Sequence, residues 1–272
     1  MLQQNEFLTD DEIRISNDFI NNGYIIGECE SMDELDKIQL FIAKTISDYL
    51  KLDITGDVKD FLDGVHSEMD ETNINDARLH VIQQMNSQPW IRASYFAIAR
   101  KAISIIVGNE LAMQRRINLS VQMPNDASSV LPVHADTWSG DSPYEVVLWV
   151  PYVDVFNTKS MFILSPEDNA KHEKRFSDGS LGAAHELMEA IKPDAKWLDI
   201  PYGNFLLFTQ NLMHGNVLNT ENTTRWSSNC RFKSVFSPYS DKRIGEFFDP
   251  ITPRAATVLG SSYKYPVVKE KQ

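Results

Sequence analysis

The chain has 272 residues, of which 42% are hydrophobic and 24% charged, a balance that excludes a chain disordered as a whole. The formal net charge is −12, and no basic cluster offsets it, so nucleic acid and anionic membrane surfaces are poor partners. Two cysteines, Cys29 and Cys230, are too few for a disulfide scaffold or a cysteine-based zinc site.

The N-terminal segment, MLQQNEFLTDDEIR, is polar and acidic and lacks the basic and apolar regions of a signal peptide. The longest apolar run, Ala102–Val107, is too short to span a bilayer. We therefore expect a cytoplasmic protein.

The first part of the chain favours helices. Thr9-Asp10-Asp11-Glu12 and Ser31-Met32-Asp33-Glu34 match the capping box that begins a helix, and the apolar positions of 35–50 follow helical spacing. The glycine-bounded run 23–27 predicts a strand between these two helices. Further helices are predicted over 74–85 and 89–107.

Strands dominate after Arg115, because short runs rich in Val, Ile, Phe or Trp end near turn-forming residues. A helix over 182–191 interrupts them, and the charged stretch 167–179 is expected to be a loop or a lid-like insertion. The predicted strands are Ile117–Met123, Tyr144–Val153, Ser160–Leu164, Lys196–Ile200, Asn204–Thr209 and Arg225–Phe236.

Helices followed by strands predict an α+β, mainly β, domain whose N-terminal helices pack on one antiparallel sheet. Many short strands indicate a two-sheet jelly roll. Since no linker separates the halves, we expect one domain over 1–272. It would comprise helical support in 1–114, a jelly-roll core in 115–240 and a C-terminal tail in 241–272, irregular after Asp249.

The motif His134-Ala135-Asp136 follows a predicted strand and a polar turn. Side chains two residues apart in extended backbone point the same way, so His134 and Asp136 can address one point. His214 follows the apolar strand 204–209, and a third ligand on the other sheet would explain its distance along the chain. Two imidazoles and one carboxylate match the facial triad of non-haem Fe(II) oxygenases. The motif His-x-Asp alone also suits zinc, or a turn with local hydrogen bonds.

The last predicted strand places Arg225 and Arg231 on one face, with Trp226 and Phe232 on the other. Two inward arginines need an anion, which the distal carboxylate of 2-oxoglutarate would provide. The alternative is that Arg231 pairs with a structural Asp or Glu and that Arg225 faces solvent.

The pattern His134-x-Asp136, His214-Gly215 and Arg225 resembles the phytanoyl-CoA-hydroxylase-like branch of Fe(II)/2-oxoglutarate oxygenases, over about residues 115–240. The resemblance implies a cupin-like double-stranded β-helix, three side chains binding Fe(II), and Arg225 binding the C5 carboxylate of 2-oxoglutarate. It also implies hydroxylation with O₂. The aspartate disfavours halogenation, because halogenases of this family have a small residue at that position.

Three segments narrow the resemblance: Gln122-Met123-Pro124-Asn125-Asp126, the run 134–143, and Lys159-Ser160-Met161. They are similar to oxygenases of sporadic bacterial carbohydrate clusters, related to a streptomycin-biosynthesis protein. That similarity implies a small-molecule carbohydrate, a sugar or nucleotide sugar, as substrate. The chain departs from the broader branch at 164–167, so no substrate contacts are transferred from there.

Other polar side chains near the motif are candidates for binding. Trp138, Ser139 and Asp141 would contact a sugar, although Trp138 could instead serve packing. Gln122 and Asn118 share one strand face and could bind 2-oxoglutarate, or simply satisfy backbone groups. Four histidines without ligand spacing are expected to have surface or core roles. They are His66, His80, His172 and His185.

Two other functions compete with the oxygenase. One is a cupin-type metalloenzyme that does not use 2-oxoglutarate, and the other is a non-catalytic carbohydrate-binding β-sandwich. Arg225 discriminates against the first, because a metal-only enzyme has no use for an inward arginine there. The intact set of three ligand types argues against the second.

Overall fold

The computed structural model describes residues 6–69, 73–177 and 184–266. Their helices are α1 (Asp10–Asn22), α2 (Met32–Leu50), α3 (Val58–Gly64), α4 (Ile74–Ser87), α5 (Ile91–Ala97), α6 (Arg100–Val107), α7 (Pro166–Ser177), α8 (Ala184–Ile191) and α9 (Ala255–Ser262). Their strands are β1 (Tyr24–Glu28), β2 (Leu111–Gln114), β3 (Asn118–Gln122), β4 (Val146–Pro151), β5 (Phe162–Ile163), β6 (Lys196–Trp197), β7 (Asn204–Thr209), β8 (His214–Gly215), β9 (Arg225–Ser234) and β10 (Phe248–Pro250).

The strands form two antiparallel sheets. The larger one has the order β1-β7-β4-β9-β2-β10, with β3 also paired to β9, and the smaller one has the order β6-β5-β8. The predicted mixture of helices and antiparallel sheet is confirmed. The predicted jelly roll is not closed among the described residues, because the strands of the smaller sheet have only two residues each.

The N-terminal helices pack on one face of the larger sheet. The apolar stripe of α2, including Leu35, Ile38 and Ile42, is fully buried, as expected for an amphipathic helix against a core. On β9 the side chains of Trp226 and Phe232 face this core. The Trp226 indole N–H donates to the carbonyl of Leu62 at 2.9 Å. The opposite face of the larger sheet is therefore available for a functional site.

The two predicted capping boxes have different outcomes. At α1, Glu12 N donates to Thr9 Oγ1 at 3.3 Å and Thr9 N donates to Glu12 Oε2 at 2.8 Å, so the prediction is confirmed. At α2 the prediction is wrong, because Ser31 makes no side-chain cap. The Glu34 carboxylate instead accepts from the Ser94 hydroxyl of α5.

The predicted helix over 89–107 is two helices, α5 and α6. The Glu30 carboxylate, from the segment after β1, accepts from the backbone N–H groups of Lys101 and Ala102 at 2.7 and 3.0 Å. These groups lie in the first turn of α6 and need acceptors from outside the helix. Glu30, which is distant in sequence, thus stabilises the start of α6.

Two predicted irregular segments are ordered. The charged stretch predicted as a loop contains α7, which Ser165 caps by accepting from Asp168 N at 3.1 Å. The tail contains β10, where Asp249 binds Arg92 and Arg115 at 3.0 and 2.9 Å, and α9, which lies in the part predicted to be irregular after Asp249. Residues 182–183 of the helix predicted over 182–191 lie outside the described residues. None of the described helices has the length and apolar character needed to cross a bilayer.

Tyr95 fixes α5 against the two central strands. Its hydroxyl lies 3.0 Å from the carbonyl of Leu148 and 3.1 Å from that of Ser228. Tyr95→Phe should lower the free energy of unfolding by about 1–2 kcal/mol, since a buried hydrogen bond is lost. Tyr49→Phe, at a side chain that is 38% exposed, should change it by less than about 0.5 kcal/mol. Equilibrium urea unfolding measures both, and equal effects would contradict this role for Tyr95.

Candidate metal centre

A backbone pairing brings the two motif histidines together. His134 N donates to His214 O at 3.0 Å, and His214 N donates to His134 O at 2.9 Å. His214 belongs to β8 of the smaller sheet, whereas Asp136 begins a short 3-10 turn, Asp136–Ser139, after extended backbone at Ala135. Ligand atoms of His134, Asp136 and His214 all lie within 4.8 Å of one another. The three side chains can therefore hold one metal ion.

Each imidazole is held in a tautomer that suits metal binding. The Nδ1 atoms of His134 and His214 lie 2.8 Å from the carbonyls of Pro132 and Leu212. Because a carbonyl only accepts, each Nδ1 carries a hydrogen, which leaves Nε2 of each ring as the atom that can bind a metal. Burial lowers the pKa of His214 to about 4, so this imidazole is neutral at pH 7.

The three side chains line a cavity of about 220 Å³. Its wall on the larger sheet includes Asn118 and Ser120 of β3 together with Arg225, Asn229 and Arg231 of β9. Register places Asn118 opposite Asn229 and Gln122 opposite Arg225. The predicted alternation along β9 is confirmed, since Trp226 and Phe232 face the core instead.

Arg225 is a buried cation without an anionic partner among the described residues. It is 3% exposed, and its Nη1 and Nη2 donate to the Ser160 carbonyl and the Ser120 hydroxyl, both at 3.2 Å. Its Nε is buried and has no hydrogen-bond partner. Burial lowers its pKa to about 10, so the guanidinium stays charged at pH 7. A buried charge of this kind calls for an anion.

Arg231 already has such partners. Its Nη2 lies 3.1 Å from Asp136 Oδ1 and 3.7 Å from Asp141 Oδ2. Its Nε donates to Gln210 Oε1 at 3.0 Å. The two arginines that share the cavity thus differ, because Arg231 neutralises a carboxylate of the candidate metal centre, whereas Arg225 has no anionic partner in the part of the chain that the structure describes.

The amides predicted to bind a co-substrate occupy different places. Asn118 lines the cavity and donates to Asn229 Oδ1 at 3.0 Å. Gln122 is fully buried and lies outside the cavity lining, where its Nε2 donates to the Val217 carbonyl. Sequence reasoning missed Ser120 and the cavity-lining Trp149 of β4. Ser120 lies midway between Asn118 and Gln122, so the alternation of side chains along this strand places it on the same face and could have indicated it.

The residues predicted to bind substrate lie beside the centre, not in its cavity. Trp138 is 40% exposed, and Ser139 next to it is also exposed. Asp141 is buried, and the ammonium of Lys242 binds its carboxylate. The Asp141 side chain is therefore held inside the protein and does not present a free acceptor.

The other histidines have structural contacts. His66 Nδ1 lies 3.0 Å from Thr224 Oγ1, His172 Nε2 lies 2.7 Å from Asp194 Oδ2, and the His80 ring packs on Tyr49. The side chain of His185 lies outside what the structure describes. Within the described ranges, no second group of three such side chains is close enough to share an ion.

Comparisons with known proteins find similarity in structure but not in sequence. No family model matches the chain, and no curated protein matches it. The solved non-haem monooxygenase ThoJ in complex with nickel has a TM-score of 0.56 at 12% identity, covering 94% of this chain and 89% of that one.

Two further structures were solved with 2-oxoglutarate. HygX from Streptomyces hygroscopicus, with nickel and 2-oxoglutarate bound, has a TM-score of 0.50 at 13% identity, covering 87% of this chain and 90% of its own. EctD from S. alaskensis, with 2-oxoglutarate and 5-hydroxyectoine, has a TM-score of 0.55 at 17% identity, covering 88% and 80%. The chain therefore shares its fold with non-haem, 2-oxoglutarate-binding proteins.

Metal binding should stabilise the folded chain. Co(II) at a hundred times its Kd should add about 2.7 kcal/mol to the free energy of unfolding and raise Tm. In Asp136→Asn the Co(II) affinity should fall at least about tenfold, because the carboxylate charge is lost. His80→Gln should retain the wild-type shift. Thermal unfolding with and without Co(II), after removal of bound metal by a chelator, measures the shift, and an undiminished shift in Asp136→Asn would exclude this site.

Proposed function

We propose that this chain is an Fe(II)- and 2-oxoglutarate-dependent oxygenase. In this proposal His134, Asp136 and His214 bind the metal, and Arg225 binds the distal carboxylate of 2-oxoglutarate. One observation carries it: a buried guanidinium without an anionic partner among the described residues lines the same cavity as the His-Asp-His cluster.

The residues present fit the metal and the co-substrate. Two imidazoles and one carboxylate are the donor set of the Fe(II) facial triad, which leaves coordination positions open. The cavity of about 220 Å³ is smaller than the roughly 300–1,000 Å³ of sites for drug-sized ligands, and so suits a compact diacid. The partnerless Nε of Arg225 offers a second donor for a bidentate pair with a carboxylate.

Electrostatics also favour a doubly negative co-substrate. A divalent ion, Arg225 and Arg231 would bring four positive charges to the cavity, against one negative charge on Asp136. A doubly negative co-substrate would lower this excess of three positive charges to one. The planar guanidinium of Arg225 would set the direction of the far carboxylate, with the Ser120 hydroxyl beside it at 3.2 Å. When bound, the iron supplies the activation of O₂ that is coupled to decarboxylation of the co-substrate. The protein would hold the reactants in register and keep bulk water out.

For the substrate we propose a sugar or nucleotide sugar, hydroxylated by one soluble catalytic domain of the phytanoyl-CoA-hydroxylase-like type in the cytoplasm. The sequence segments around the motif support this choice. Trp138 and Ser139 support it too, because an exposed indole beside a hydroxyl suits the apolar face and polar edge of a sugar ring.

A groove next to the cavity, lined by both polar and apolar side chains, supports the same substrate class. The groove, of about 600 Å³, shares Asn118, Ser120 and Asn229 with the cavity and extends to Asn75 and Arg78 of α4. The polar side chains that line the groove, among the described residues, are amides, hydroxyls and one guanidinium, and none of them is a carboxylate. Such donors and acceptors suit a substrate rich in hydroxyl groups that carries a negative charge.

The test is turnover of 2-oxoglutarate to succinate by the full-length protein with Fe(II), O₂ and a panel of nucleotide sugars. We expect succinate with at least one sugar. Metal binding without succinate would favour the cupin-type metalloenzyme that does not use 2-oxoglutarate. A folded chain that binds no iron-group metal would favour the carbohydrate-binding β-sandwich.

Arg225→Gln should weaken the binding of 2-oxoglutarate about 30-fold or more, since losing one partner of a buried charged pair costs about 2 kcal/mol or more. Titration calorimetry of 2-oxoglutarate into the Ni(II)-loaded protein measures this without any substrate. The surface variant Arg14→Gln should bind as the wild type does. Unchanged affinity in Arg225→Gln would show that another group binds the distal carboxylate.

A further inference from the structure

A buried polar network lies behind the carboxylate of the candidate metal centre. Arg231 contacts Asp136 Oδ1 at 3.1 Å through Nη2 and Gln210 Oε1 at 3.0 Å through Nε. Gln210 is fully buried, and its Nε2 donates to Glu145 Oε2 and to the Ser142 carbonyl, both at 3.0 Å. Asp136 is therefore connected to the interior through an ion pair with Arg231 and the hydrogen bonds behind it.

The network fixes the direction of the guanidinium. Because the Gln210 amide nitrogen is committed to two acceptors, its oxygen must face Arg231. The guanidinium is planar and rigid, so holding Nε in place also determines where Nη2 points. It points at Asp136, whose Oδ1 lies 3.6 Å from His134 Nε2. That separation is less than twice a metal–ligand bond of roughly 2.1 Å.

A second carboxylate, that of Asp141, stabilises Arg231 without forming a hydrogen bond to it. Asp141 Oδ2 lies 3.7 Å from Arg231 Nη2, beyond hydrogen-bond distance, and the ammonium of Lys242 binds the other oxygen of Asp141. Since Asp141 is shared between two cations, Arg231 keeps its close contact for Asp136.

We infer that Arg231, oriented by Gln210, is a positioning residue that holds the Asp136 carboxylate in the rotation needed to share an ion with His134 and His214. The inference rests on the proposed metal site. It gives Arg231 a role different from binding 2-oxoglutarate, because the donors that face Asp136 and Gln210 are already engaged. Partners of this kind behind a metal ligand typically change metal affinity 10–100-fold.

A purely neutralising role for Arg231 predicts the opposite change in metal affinity. If Arg231 only neutralised Asp136 in the metal-free protein, it would compete with the metal, and removing it would tighten metal binding. If it positions the carboxylate, removing it weakens binding. The sign of the change therefore distinguishes the two roles.

The experiment is a Co(II) titration of metal-free, full-length protein, followed by the visible absorption of the bound ion, which reports its coordination geometry. Arg231→Met should weaken Co(II) binding about 10–100-fold and change the absorption band. Arg231→Lys should recover part of the affinity, because an ammonium can reach Asp136 but cannot also bind Gln210 in the fixed geometry of the guanidinium. Gln210→Met should also weaken Co(II) binding, but by less than Arg231→Met does.

Arg92→Met is the matched control. It also removes an arginine–carboxylate pair, with Asp249 at 3.0 Å, on the other face of the larger sheet, and it should leave Co(II) affinity and the absorption band unchanged. Unchanged or tighter Co(II) binding in folded Arg231→Met would overturn the inference. If that variant does not fold, Arg231→Lys and Gln210→Met decide by the same criterion. A wild-type protein that binds no Co(II) would instead overturn the proposed metal site itself.

Discussion

The candidate centre depends on the two backbone hydrogen bonds that pair His134 with His214, at 3.0 and 2.9 Å. This pairing joins the loop after β3 to the smaller sheet and places two imidazole rings 4.4 Å apart. The nearby carbonyls of Pro132 and Leu212 then fix both rings in one tautomer. Asp136 needs only to follow His134 by two residues to complete a set of three ligands.

Charge is divided unequally in the cavity, and the division explains how two arginines can share it. The chain as a whole has a net charge of −12, yet the larger sheet presents two guanidinium groups here. Arg231 is bound to Asp136 and Gln210, whereas the partners of Arg225 among the described residues are a carbonyl and a hydroxyl. One cation therefore orders the centre, and the other is available to a ligand.

Local patterns in the sequence predicted two of the strands that line the cavity, β7 and β9, but not the two-residue strand β8 that contains His214. The strand β7 has the predicted bounds, Asn204–Thr209, and alternation assigned Arg225 and Arg231 to one face of β9. Residue chemistry, the spacing of the His-x-Asp motif and the family resemblance selected His134 and Asp136. These features depend on residues close together in the chain, so they can be recognised in a single sequence.

Long-range contacts decided what the sequence did not predict. The start of α6 depends on Glu30, and β10 depends on Arg92 and Arg115 finding Asp249. In the same way, alternation showed where Arg231 points but not that Asp136 would bind it.

The most direct test is a crystal structure of the protein with Fe(II) and 2-oxoglutarate bound without oxygen, with the iron located by anomalous diffraction. The account predicts one iron at roughly 2.0–2.2 Å from Nε2 of His134 and His214 and from an oxygen of Asp136. It also predicts the distal carboxylate of 2-oxoglutarate on Arg225. Iron at another place, or 2-oxoglutarate bound away from Arg225, would contradict it.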